Sequence, residues 1–143
     1  MKKLDRILVP VDTSESSDRA VALAGELAAA AEAALDILHV TYFDSQTDDE
    51  RESWLPGIAT ESMGRKAAAV FDRVRGCLPT GVEVEYHQRA GDPAAEILSY
   101  AAERQSGLIV LGTRGVSVVE GFLKGSVSQE VLEGAACSVL IVK

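Results

Sequence analysis

At 143 residues, with 47% hydrophobic and 25% charged positions, the chain has enough apolar material for one domain, 1–143, without disulfide or metal staples. A formal charge of −8, from 14 basic against 22 acidic residues, argues against general affinity for nucleic acid or anionic membrane, which needs a basic face. No apolar run approaches the ~20 residues of a membrane-spanning helix, and the apolar stretch after Met1–Arg6 is too short for a signal-peptide core, so the expected location is cytoplasmic.

Ile7-Leu8-Val9-Pro10-Val11 is a β-branched run ending at Asp12 and reads as the first strand. Thr13-Ser14-Glu15 offers a helix N-cap, and Ala20, Ala24, Leu27, Ala28 and Ala31 follow on one helical face. Alanine dominates that face, which suits a helix lying close to a sheet. Leu35 to Val40 reads as the second strand, and a helical pattern from Ile58 to Arg75 is stopped by Gly76 and Pro79. Val82 to His87 alternates apolar and polar residues, as a half-exposed or edge strand does. Asp92 caps a helix with Pro93 at its first position, running to Gln105. Leu108-Ile109-Val110-Leu111 is fully apolar and reads as a central strand. Ser126 to Glu133 is a short helix, and Val139 to Val142 is the fifth strand. Five strands alternating with four helices imply an α/β fold, a parallel sheet covered on both faces.

One segment breaks the pattern. Between Thr41 and Gly57, Asp44, Asp48, Asp49, Glu50 and Glu52 against Arg51 carry −4, half the net charge, and Trp54 lies among them. A connection of that length suits a lid or binding loop. Cys77 and Cys137 share no motif with each other or with His39 and His87, so neither a disulfide nor a zinc site is expected. Ordinary packing is the reading for both cysteines and both histidines.

The most informative stretch is Gly112-Thr113-Arg114-Gly115, then nine residues, then Gly125-Ser126-Val127-Ser128. It opens where the apolar strand ends and closes where a helix begins. Glycines at a strand end let a backbone approach a ligand closely. A Gly-Ser helix start presents unpaired N–H groups and a hydroxyl, which suit phosphate. Charge supports the same helix: Arg114 and Lys124 outweigh Glu120 there, whereas Asp12, Glu15 and Asp18 would repel phosphate from the first helix. No Gly-x-Gly follows the first strand, as a dinucleotide fold requires, and 112–128 contains no Walker-type loop.

The spacing G-x2-G-x9-G-[ST] resembles the ATP-binding signature of the universal stress protein family. Ile7 to Asp12, Leu38-His39-Val40, Gly91 to Ile97 and Ser138 to Val142 also resemble that family's segments, so the likeness covers nearly the whole chain. It implies a Rossmann-like, five-stranded parallel open sheet of order 3-2-1-4-5, with a crevice where connections leave strands one and four in opposite directions. It further implies that Pro10, Val11, Asp12, Thr13 and Val40 line the adenine and ribose end of ATP, AMP or ADP, the Asp12 carboxylate accepting a ribose hydroxyl. Gly112, Thr113, Arg114 and Gly115 would wrap the ribose and first phosphate. Gly125, Ser126, Val127 and Ser128 would donate to the outer phosphates, with Mg2+ or another divalent ion neutralising them. The family also implies a homodimer through the strand Val139–Val142. Two departures stand out: Val118 sits where many members carry another glycine, and Cys137-Ser138 replaces Cys-Pro.

The residues alone leave Asp12 as a turn or capping carboxylate as readily as a ribose contact. No G-x-S-x-G elbow is present, no base is aimed at a γ-phosphate, and His87-Gln88 occupies the strand-three end where a receiver domain wants an acid. The expectation is therefore a nucleotide-dependent stress-response protein and not an enzyme. The alternatives are a slow ATP hydrolase or phosphotransferase in the same pocket, and a dimeric assembly module without nucleotide.

Overall fold

The computed structural model describes residues 3–12, 15–42, 56–112 and 126–143. The strands are β1 (Arg6–Val11), β2 (Ala34–Tyr42), β3 (Val84–Gly91), β4 (Leu108–Gly112) and β5 (Ser138–Val142). Between them run α1 (Glu15–Ala31), α2 (Pro56–Arg75), α3 (Pro93–Arg104) and α4 (Ser126–Gly134). All four strand pairings are parallel, in the order β3-β2-β1-β4-β5. The expected architecture is therefore present, with β1 and β4 adjacent.

Period-two alternation sorts the central strands into two cores. Ile7, Val9, Val11, Leu35 and Ile37 point to one face, where α1 and α2 cover them; Leu8, Leu38, Ile109 and Leu111 point to the other, under α3 and α4. Each such aliphatic side chain contributes ~1.5–3 kcal/mol by leaving water. Ala20, Ala24 and Ala28 recur every fourth residue on α1 and are each at most 1% exposed, so the small side chains do set α1 close on the sheet. Gly25 belongs to that packed face, because a Cβ there would meet Pro79 Cδ at 2.6 Å.

Four boundaries differ from the expectation by two residues or more, the first being the start of β3, which falls at Val84 and not at Val82. β3 runs on through Gln88, Arg89 and Ala90 to Gly91, so His87 lies inside the strand and Asp92 follows its end. The polar residues hid this extension, because Arg89 is covered by ion pairs to Glu96 and Glu103 of α3 and by the Tyr100 ring. Thr41 and Tyr42 belong to β2, and Pro56 and Gly57 to α2, which leaves 43–55, with Trp54, outside the described residues. Asp92, now at the strand-three exit, is committed as the α3 cap: its Oδ2 accepts from Ala95 N–H at 3.0 Å. Among the described residues, no helix is long and apolar enough to cross a membrane.

Candidate functional site

At the carboxyl end of the sheet, β1 delivers Asp12 and β4 delivers Gly112. The first turn of α1 sits between these two exits. The Asp12 N–H donates to Ser17 Oγ at 3.0 Å, and Ser17 is 1% exposed. The neighbouring Ser16 is 2% exposed and packs against Gly112. A Cβ on Gly112 would lie 2.6 Å from the Ser16 carbonyl carbon and 2.7 Å from its oxygen, both backbone atoms with no room to retreat. The expected reason for this glycine was close approach of a ligand or a forbidden φ; the structure gives another. Positive φ among the described glycines occurs at Gly81 and Gly91, and Gly112 lacks a side chain because α1 occupies that space.

From the opposite face, α4 brings its first turn to the same end. Ser126 opens the helix, as the sequence indicates. Val127 is fully buried in the Leu8, Ile109 and Leu111 core, so only its backbone remains for a ligand. Ser128 is half-buried, and its Oγ is shielded from solvent without a hydrogen-bond partner among the described residues. The first turn of α4 carries no acid, whereas that of α1 carries Glu15 and Asp18. The helix macrodipole at the α4 start is thus left uncancelled by side chains, a setting that favours an anion.

β2 completes this end. Val40 is half-buried on the α3 side. His39, in register with Val11, is 9% exposed on the α2 side and meets the edge of Phe71 at 6.5 Å between ring centroids. Burial holds its imidazole below the usual 6.5, opposed by the Asp12 carboxylate and reinforced by Lys66. The uncharged ring leaves Nδ1 buried without a partner.

Of the expected site residues, Pro10, Val11, Asp12, Val40, Gly112, Ser126, Val127 and Ser128 occupy the carboxyl ends of β1, β2 and β4 and the start of α4. Pro10 and Val11 are buried in the strand and offer backbone alone. Thr13, Thr113, Arg114, Gly115 and Gly125 lie outside the described residues, as do Lys124, Glu120 and Val118. Sequence reasoning missed Ser16 and Ser17. The N-cap reading rested on Thr13-Ser14-Glu15, and nothing local marks the two serines that follow as buried braces.

A second polar cluster lies at the opposite, amino end of the sheet. Asp36 is fully buried, with Oδ1 accepting from Arg6 Nη1 at 2.8 Å and Oδ2 from Arg104 Nε at 3.3 Å. Glu85 pairs with Arg104 and, at 3.5 Å, with Arg6. His87 completes a group with Asp36 and Glu85 whose ligand-type atoms lie within 4.8 Å of one another. Two carboxylates are already neutralised by two guanidiniums there, so an added cation would gain no net attraction. Burial, with Asp36 next in effect, pushes the Tyr100 phenol up to about 12. Cys77 and Cys137 are free, half-buried thiols packed against opposite cores.

The universal stress protein family model matches residues 3–143. Universal stress protein YxiE of Bacillus subtilis is 32% identical over 97% of this chain and 99% of its own length. A universal stress protein crystallised in complex with cAMP is 30% identical, with a TM-score of 0.68 over 99% of this chain and 98% of its own. The Lactobacillus plantarum protein UspA, at 24% identity, shares the fold at a TM-score of 0.76 over the full length of both chains. Sheet order, segment likeness and end-to-end relatives agree: the chain belongs to the universal stress protein family.

Proposed function

We propose that this protein binds an adenine nucleotide, ATP foremost, at the carboxyl ends of β1 and β4, and that the bound state governs its part in a stress response. The observation that carries the reading is the Ser128 hydroxyl: shielded, without a partner among the described residues, in the acid-free first turn of α4. A buried hydroxyl costs stability unless a hydrogen bond compensates it, and a phosphate oxygen at this helix start would supply one. The relative crystallised with cAMP supports the choice of an adenine nucleotide.

In this reading Asp12 and Val40 meet the sugar and base, and the backbone N–H groups of α4 meet the phosphates. A divalent ion would ride on the phosphates' own oxygens. Binding is the whole activity, in a cytoplasmic protein. A single-turnover assay with labelled ATP should show no metal-dependent product above a Ser128→Ala control.

Titration calorimetry with ATP, AMP and cAMP tests the site. The expected result is saturable ATP binding that Ser128→Ala weakens about tenfold while the melting temperature holds. No heat at millimolar nucleotide would sink the proposal. β5 lies at the sheet edge, with Ile141 37% exposed and Leu132 of α4 55% exposed, and both suit a homodimer through that strand. Light scattering behind size exclusion should give twice the 15.1 kDa chain mass.

A further inference from the structure

The geometry points to Ser17 as a positioning residue for sugar recognition, setting the place of the Asp12 carboxylate by holding the Asp12 backbone. This inference rests on the nucleotide reading above.

Asp12 is the first residue past β1, where the strand ladder no longer fixes the chain. Its N–H is held by Ser17 Oγ, and Ser17 is itself immobilised in the first turn of α1 at 1% exposure. That turn cannot shift toward β4, because Ser16 already fills the space a Gly112 side chain would take. On its other flank Asp18 is bonded to Arg73 of α2 at 2.7 Å. The brace is therefore fixed from two sides, and a hydrogen bond to a fixed brace fixes the backbone that carries the carboxylate. Side chains hung from a backbone held this way need less ordering when a ligand arrives. The Asp12 N–H is engaged by Ser17, and the carboxylate is the group that the nucleotide reading assigns to the sugar.

The test compares AMP with 2′,3′-dideoxy-AMP, which has no ribose hydroxyl to offer. Calorimetry would use the full chain as wild type, Ser17→Ala, Asp12→Asn and the double variant. Wild type should prefer AMP; Ser17→Ala should lose about tenfold in AMP affinity and little for the dideoxy nucleotide. The double variant should bind AMP no more weakly than Asp12→Asn alone, since the serine acts through the carboxylate. Ser17→Cys, with a similar volume and a poorer acceptor, should fall between wild type and Ser17→Ala, and it serves if the alanine variant folds badly. Equal losses for both nucleotides, or no loss for either, would overturn the role of Ser17. Failure of wild type to bind AMP or ATP at all would instead overturn the nucleotide reading, and the inference with it.

Discussion

At the amino end of the sheet the buried carboxylate of Asp36 is held by Arg6 and Arg104, and Glu85 closes the square. At the carboxyl end the buried polar residues include Ser16, Ser17 and His39, and the shielded hydroxyl of half-buried Ser128 finds no partner among the described residues. The first arrangement pairs its charges internally, although His87 Nε2 and the Tyr100 hydroxyl beside it are also buried without a hydrogen-bond partner among the described residues. The second leaves a donor and a helix start unsatisfied at the place where open α/β sheets receive ligands. Internal charge compensation thus distinguishes the amino end from the end where binding is proposed.

If that contrast holds, mutations at the two ends should separate stability from affinity. Asp36→Ala leaves two guanidiniums sharing the single carboxylate of Glu85 and should cost about 3 kcal/mol, the low end for a broken buried pair because both arginines keep Glu85 and access to water. Urea unfolding would measure it, with nucleotide affinity of the folded protein unchanged. Gly112→Ala forces a methyl group against the Ser16 backbone and should cost about 2 kcal/mol. It should also weaken ATP binding, since α1 would be displaced from both strand exits. Ser128→Ala should do the reverse of Asp36→Ala, losing roughly tenfold in ATP affinity with stability unchanged.

The smallest effects concern pH and act in opposite directions. Tyr100 ionises near 10 when unfolded and about 12 in the fold, so its stabilising term is intact below pH 10 and is lost as pH rises toward 12. Tyr100→Phe should remove that alkaline loss. For His39 the folded value lies below 6.5, so the unfolded chain takes up the proton first, and stability falls as pH drops below 6.5. His39→Gln should flatten that acid limb in unfolding midpoints measured across the range.

The fold was largely legible because its determinants are local. Apolar runs, the alanine stripe of α1 and the Asp92-Pro93 cap each sit within a few residues of the element they specify. The strand end at Gly112 and the helix start at Ser126, on which the candidate site is built, were legible for the same reason. Its physical logic was not. Gly112 reads as a ligand-facing glycine, yet its missing side chain makes room for a serine 96 positions earlier in the chain. Asp36 reads as one polar residue in a strand; its partners stand 30 and 68 residues away, and no periodicity connects them. The end of β3 was misread because Gln88 and Arg89 are polar: Gln88 faces solvent, as an edge strand allows, and Arg89 is covered by its ion pairs to α3.

The contact between Gly25 and Pro79 bears on any attempt to make this protein hardier. Replacing an interior helical glycine with alanine is a standard route to a more heat-resistant variant, gaining ~1 kcal/mol where the site is open. Gly64 in α2 has no described atom within 4 Å of the added carbon and should yield that gain, whereas the same change at Gly25 would pry α1 from the proline ring and loosen the turn that feeds β3.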